Sequence, residues 1–192
     1  MNRKQAILSI LFIIGVFISF FYFYKWLKMY LWRVSDEDLE SQRILIEELA
    51  ETIIPQTDTP GAKQAGVADF IINKVKFFLS NQERNVFALG LENIEMLSKR
   101  KFDRSFQSCT TQQREAILKT LEDREWRKES LPSWVKRKLF GRSFIDLLKT
   151  FTVEGFCTSE LGATQCLVYD AVPVHYLPCV NLIQGQRSWA TK

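Results

Sequence analysis

The segment Ile53–Phe70, IIPQTDTPGAKQAGVADF, stops a helix, turns the chain and starts a second helix within eighteen residues. Pro55 has no N–H and disfavours helical geometry in the residue before it, so a helix arriving through Glu47, Leu49 and Ile53 is expected to end near Ile54. In the turn, Thr57, Asp58 and Thr59 can each bond backbone N–H groups, Pro60 presets its own φ, and Gly61 relieves the steric limit on the next step. Ala62 and Ala65 permit close approach, and Gly66 allows a bend before Val67–Leu79 resumes a helical pattern.

Working outward, Ser35 is placed to cap the incoming helix, with Asp36, Glu37 and Asp38 on the positive end of its dipole. Leu39, Leu45, Ile46, Leu49 and Ile53 give that helix an apolar face, which needs a partner. Phe70, Ile71, Val75, Phe78 and Leu79 of the second helix supply one. A third helix is expected over about 82–100, with Val86, Phe87, Leu89, Leu91, Ile94 and Leu97 inward and Lys99, Arg100 and Lys101 at its negative end. Thr110 or Thr111 caps a fourth, running through Glu122 with Ile117, Leu118 and Leu121 inward. A fifth spans Ser143–Val153 through Phe144, Leu147, Leu148 and Phe151. Beyond it, Gly155, Gly162, Pro173, Pro178 and Gly185 punctuate the chain too often for long helices, although Ser159–Tyr169 could form a short one. The expected fold is an all-α helical bundle with an irregular C-terminal tail wrapped over it.

The N-terminus has a different character. Gln5–Tyr24 is a run of twenty uncharged residues, and about twenty helical residues cross the ~30 Å hydrocarbon core of a bilayer. We read residues 6–24 as one N-terminal transmembrane helix, its end marked by Phe20–Tyr24, Lys25, Trp26 and Lys28 as an aromatic and cationic belt. No small-residue cleavage site follows the run. The chain thus divides into a membrane anchor with its juxtamembrane segment at 1–34 and a helical domain at 35–192. Lys and Arg are balanced across the run, so charge does not set its orientation. The net charge of +4 comes from the same region: residues 1–33 hold five basic residues and no acid, leaving 21 basic against 22 acidic residues elsewhere. A body of that balance has no footprint for a phosphate backbone, so nucleic acid is excluded as a partner. The basic stretch Arg124–Gly141, with Trp126, Pro132 and Trp134, is diluted by Glu125 and Glu129 and reads as a surface loop or partner contact.

The chemistry-bearing residues are sparse. Cys109, Cys157, Cys166 and Cys179 are too far apart for paired CxxC metal ligation, and His175 is the single histidine, so no metal site is expected. In an oxidising compartment Cys109 and Cys179, both in loop-like segments, are the first candidates for a disulfide; free thiols packing as small apolar residues fit equally well. His175 lies between Pro173 and Pro178 with no nucleophile or orienting carboxylate in view, and Asp58 fits a turn better than a general base. The chain has no GxGxxG, P-loop or HExxH motif, so neither catalytic nor cofactor-binding residues are assigned.

Two separated stretches carry a resemblance. One is TDTPGA followed by AGVADFI, with an aliphatic-Pro pair before it. The other is the C-terminal order Gly155-Phe156, Ser159-Glu160-Leu161-Gly162-Ala163, Tyr169 and Val172-Pro173. Together they resemble the gluconate 2-dehydrogenase subunit 3 family, the small subunit of a membrane-bound, flavin-dependent gluconate dehydrogenase. The resemblance implies a non-catalytic accessory subunit that supports export, stability or tethering of a larger flavin-containing subunit. FAD and haem would then sit in partner subunits, the haem in a cytochrome c subunit. It also implies a single-pass inner-membrane protein with its body facing the periplasm. Asn2-Arg3-Lys4 is like a twin-arginine export signal with its second arginine replaced, and ordinary secretory insertion fits as well. Tyr169, Tyr176 and Trp189, amphipathic rings on the tail, are candidate partner contacts. Two rivals stand beside this reading: a membrane-anchored helical interaction protein of the same fold with an unrelated partner, and a hydrolase built on His175.

Overall fold

The computed structural model describes residues 12–24, 35–127, 141–172, 179, 181 and 184–190. Pro132, Trp134, His175 and Tyr176 lie outside the described residues, as do residues 6–11 of the apolar run and its flanking Lys25, Trp26 and Lys28. The described part is helical throughout apart from turns and one isolated bridge.

The first helix, α1, covers residues 12–24 and exposes every one of them. No helix among the described residues is long and apolar enough to cross a membrane. The body begins at Ser35, whose hydroxyl accepts from the Asp38 N–H while the Asp38 carboxylate accepts from the Ser35 N–H, a reciprocal cap for α2 (Asp36–Ser41). The sequence suggested one continuous helix to Ile54, but the chain breaks at Gln42, and α3 runs Arg43–Ile53. At the break the Gln42 N–H donates to the Leu39 carbonyl at 3.2 Å, a tightened turn between the two helices. Ile54 caps the end of α3, directly before Pro55.

Helix α4 (Val67–Phe78) starts from Gly66 in the left-handed region at φ 66°. Its buried face is Val67, Ala68, Ile71, Ile72 and Val75, closed by Leu79. Phe78, which periodicity placed inward, is 73% exposed in the last turn of α4, where its ring lies 4.9 Å from the Lys74 ammonium. Helix α5 (Asn81–Phe102) is capped by a Ser80/Glu83 box and ends on Asp103 in the left-handed region, with Lys99, Arg100 and Lys101 in its final turn. Leu89 is exposed rather than inward; Phe87, Leu91, Ile94 and Leu97 form the buried stripe. A single 3-10 turn (Phe106–Ser108) leads to α6 (Thr111–Arg127). Thr110 caps α6 through a reciprocal pair with Gln113.

Helix α7 (Phe144–Thr158) is longer than the sequence suggested, because Gly155 continues it. That glycine is a contact position: a Cβ there would stand 2.7 Å from the Phe70 ring of α4. Helices α4 and α7 form the largest interface of the bundle, with α3 and α5 packed alongside and α6 against α3 and α5. One continuous core includes Ile46, Leu49, Ile71, Val75, Phe87, Ile94, Phe106, Ile117, Leu147 and Leu148.

Candidate functional site

The turn at 55–66 is held by a residue upstream of it. The Glu51 carboxylate, on the last turn of α3, accepts from the Gln56 N–H at 2.8 Å and from the Lys63 N–H at 2.9 Å, clasping both sides of the turn. Gly61 sits against this clasp, where a Cβ would lie 2.5 Å from each carboxylate oxygen and 2.7 Å from the Gln56 nitrogen. Its need is therefore for space. The sequence had assigned the hydrogen bonding to Thr57, Asp58 and Thr59. In the structure the two threonine hydroxyls meet each other at 3.4 Å, the Thr57 N–H donates to the Thr59 carbonyl at 3.1 Å, and the Asp58 side chain has no partner among the described residues. Pro55 ends α3, and Pro60 is half-buried at the rim.

Beneath the turn, Glu48 joins three elements. Its carboxylate accepts from Lys63 of the turn at 2.8 Å and is paired with Arg114 of α6. Arg114 also donates to the carbonyls of Phe106 (3.2 Å) and Gln107 (2.7 Å), with its guanidinium 5.6 Å from the Phe106 ring. Burial pushes the Glu48 carboxyl up, but the hydrogen bonds and charges of Lys63 and Arg114 outweigh it and hold the group below its ordinary value. The hydrogen bond to Glu48 correspondingly raises Lys63.

The turn does not stand alone. After α7, Ser159 closes one helix and opens the next: its hydroxyl donates to the Phe156 carbonyl at 2.7 Å and accepts from the Gly162 N–H at 3.0 Å. The chain then makes a π-helical turn, Gly162–Cys166, packed so closely that a Cβ on Gly162 would overlap the Phe156 carbonyl. This turn faces the first one across an open groove of about 520 Å³, lined by Gln56, Thr57, Asp58, Thr59, Pro60 and Gln64 on one side and by Leu161 and Gln165 on the other. The two stretches that carry the resemblance, about a hundred residues apart, thus form the two walls of one surface.

The C-terminal tail returns to this region. Val168 and Trp189 form a parallel bridge through bonds of 2.9 Å from the Val168 N–H to Ser188 and from the Ala190 N–H to Val168, and Arg187 donates to the Gln165 carbonyl at 2.8 Å. Tyr169 and Trp189 are 49% and 42% exposed, leaving much of each ring open. Cys109 and Cys179 are not bonded to each other: Cys109 is buried, its thiol donating to the Ser105 carbonyl at 3.4 Å, and Cys179 is exposed. Cys157 and Cys166 are free as well. Among the described residues no group of three or more His, Cys, Asp or Glu side chains is placed to hold a metal ion.

The model of the gluconate 2-dehydrogenase subunit 3 family matches residues 40–174, which takes in both walls of the groove. The chain belongs to this family. Neither a curated protein nor a solved structure shows significant similarity to it. Membership of the subunit 3 family makes the chain an accessory subunit of a dehydrogenase complex, with partner subunits of its own.

Sequence reasoning missed Glu48, Glu51, Lys63, Arg114 and Gln165. One signal was available: α3 carries Glu47, Glu48 and Glu51 toward its negative end and has no basic residue in its last turn. Acids placed against a helix dipole need partners elsewhere, and here the partners are the turn and α6.

Proposed function

We propose that this chain is a non-catalytic small subunit that holds a larger, flavin-containing dehydrogenase subunit at the membrane, docking it through the groove between the 55–66 turn and the Gly162–Cys166 turn. The observation that carries this reading is the convergence of both family-matched stretches on that groove, whose walls are fixed from behind by Glu51, Glu48 and Ser159. A preorganised, largely polar concavity with a carboxylate at Asp58 that has no partner among the described residues suits a protein surface that offers hydrogen-bond donors. Tyr169 and Trp189, half open on the tail that returns to the same region, would widen the contact. The anchor would be residues 6–24, of which the described portion is helical with its apolar side chains in the open. In this reading the body faces the periplasm from the inner membrane, FAD belongs to the large subunit, and haem to a cytochrome c subunit.

Extraction of the tagged full chain from its native membrane in mild detergent tests the reading. A larger protein retained at fixed stoichiometry, with flavin and haem absorption in the eluate, is expected. A colourless chain that elutes alone under repeated gentle extraction would favour the rival, an interaction protein of the same fold with an unrelated partner.

A further inference from the structure

Helix α4 ends in two vicinal phenylalanines, Phe77 and Phe78, at 74% and 73% exposure. The core does not use them: the buried stripe of α4 is completed by Val75 and Leu79. Their position in the fold gives them a neighbour. Lys76 is paired with Glu40 of α2 at 2.6 Å, and Arg84, one turn into α5, is paired with Asp36, the first residue of α2. The phenylalanines therefore lie at the end of the bundle where Ser35 brings the chain in from the N-terminal apolar run. Ten residues separate Tyr24 from Ser35, a span of at most roughly 40 Å even if fully extended. Lys76 is neutralised by Glu40 and Arg84 by Asp36, while Glu37 and Asp38 stand exposed in the first turn of α2, so attraction of this rim to a bilayer rests on the rings and not on charge.

We propose that the Phe77–Phe78 end of α4 rests in the headgroup region of the same bilayer that takes residues 6–24, so that the body stands on the membrane by this end. The inference rests on the anchor reading given above. Large aromatic rings next to a lysine suit the boundary between lipid and water, where an apolar body and a cation are both accommodated. Lys74, 4.9 Å from the Phe78 ring and 5.2 Å from that of Phe70, belongs to the same group, its ammonium also paired with Glu154 at 2.6 Å. Helix α4 runs from the 55–66 turn to this end, about 18 Å for its twelve residues. The groove would accordingly be presented away from the lipid, where a large partner can reach it.

Photoreactive benzoylphenylalanine placed singly at Phe17, Phe77, Phe78 or Glu160 of the full chain, reconstituted in phosphatidylethanolamine/phosphatidylglycerol vesicles, tests this. Glu160 is exposed near the groove and serves as the remote control. Lipid adducts at 17 and at 77 or 78, several-fold above the yield at 160, are expected. Adducts at 17 with none at 77 and 78 would overturn the proposal and leave the anchor standing. Failure at 17 would remove the anchor reading and the proposal with it. Cross-links from 77 and 78 to a second protein in native membranes, in place of lipid, would assign this face to a partner subunit and likewise overturn it.

Discussion

The two ends of the bundle are built on opposite plans. At the groove end, exposed loops are tied down: Glu51 clasps the turn, Glu48 joins Lys63 to Arg114, and Ser159 bridges α7 to the π-helical turn. At the other end the backbone is regular, with capped starts at Ser35, Ser80 and Ser143, yet large apolar rings stand in the open. Rigid polar concavity and exposed apolar rings are answers to different surroundings. The first suits a protein that must be met in one geometry, and the second a lipid boundary that imposes none.

Substitutions should separate the two plans. Arg114→Ala is expected to have the largest effect, about 2–3 kcal/mol of stability, because it removes two carbonyl contacts and leaves the half-buried Glu48 with Lys63 alone. Chemical unfolding of the detergent-solubilised chain measures it. Gly61→Ala should cost about 1–2 kcal/mol, since the new methyl displaces the Glu51 carboxylate and strands the Gln56 and Lys63 N–H groups. Glu51→Gln, which keeps one acceptor, should cost about 1 kcal/mol or less. At the opposite end, replacing Phe77 and Phe78 together with serine should change the unfolding free energy in detergent by no more than about 0.5 kcal/mol. A large loss there would mean that the rings serve the core after all.

Acid pH sharpens the same contrast. Glu48 and Glu83 are both pushed up by burial, and both are held below the ordinary carboxyl value, Glu48 by Lys63 and Arg114 and Glu83 by Arg142 and Ser80. A group whose folded value is depressed stabilises above its unfolded value, and that stability is lost as pH falls through the folded one. The melting temperature should therefore fall once pH drops below about 4.5. The fall should be shallower in Arg114→Ala, which has already lost part of the Glu48 contribution. An equal slope in the two proteins would contradict the role given to that pair.

Most of the bundle was legible from local signals. Pro55, Ser35 and Ser143 mark helix boundaries through chemistry that acts over three or four residues. Phe78 and Leu89 misled because a helical pattern gives phase but not where a neighbouring helix stops. Gly155 misled because a glycine that breaks a lone helix also permits a close crossing, and only the position of Phe70 tells which applies. The groove could be read wall by wall, as a turn at 57–61 and a short helix starting at Ser159. Their convergence depends on the antiparallel packing of α4 on α7, which no local pattern encodes. The Glu48–Arg114 pair spans 66 residues and was invisible for the same reason.

The central claim is that the groove docks the large subunit. Its most direct test compares the amount of flavoprotein retained by the wild-type chain with that retained by Asp58→Arg, both expressed in the native host and extracted identically. Asp58 is exposed and has no partner among the described residues, so the charge reversal should leave the fold intact. The account predicts at least a tenfold loss of retained flavoprotein at an unchanged melting temperature. Undiminished retention by the folded variant would contradict it and place the docking surface elsewhere on the bundle.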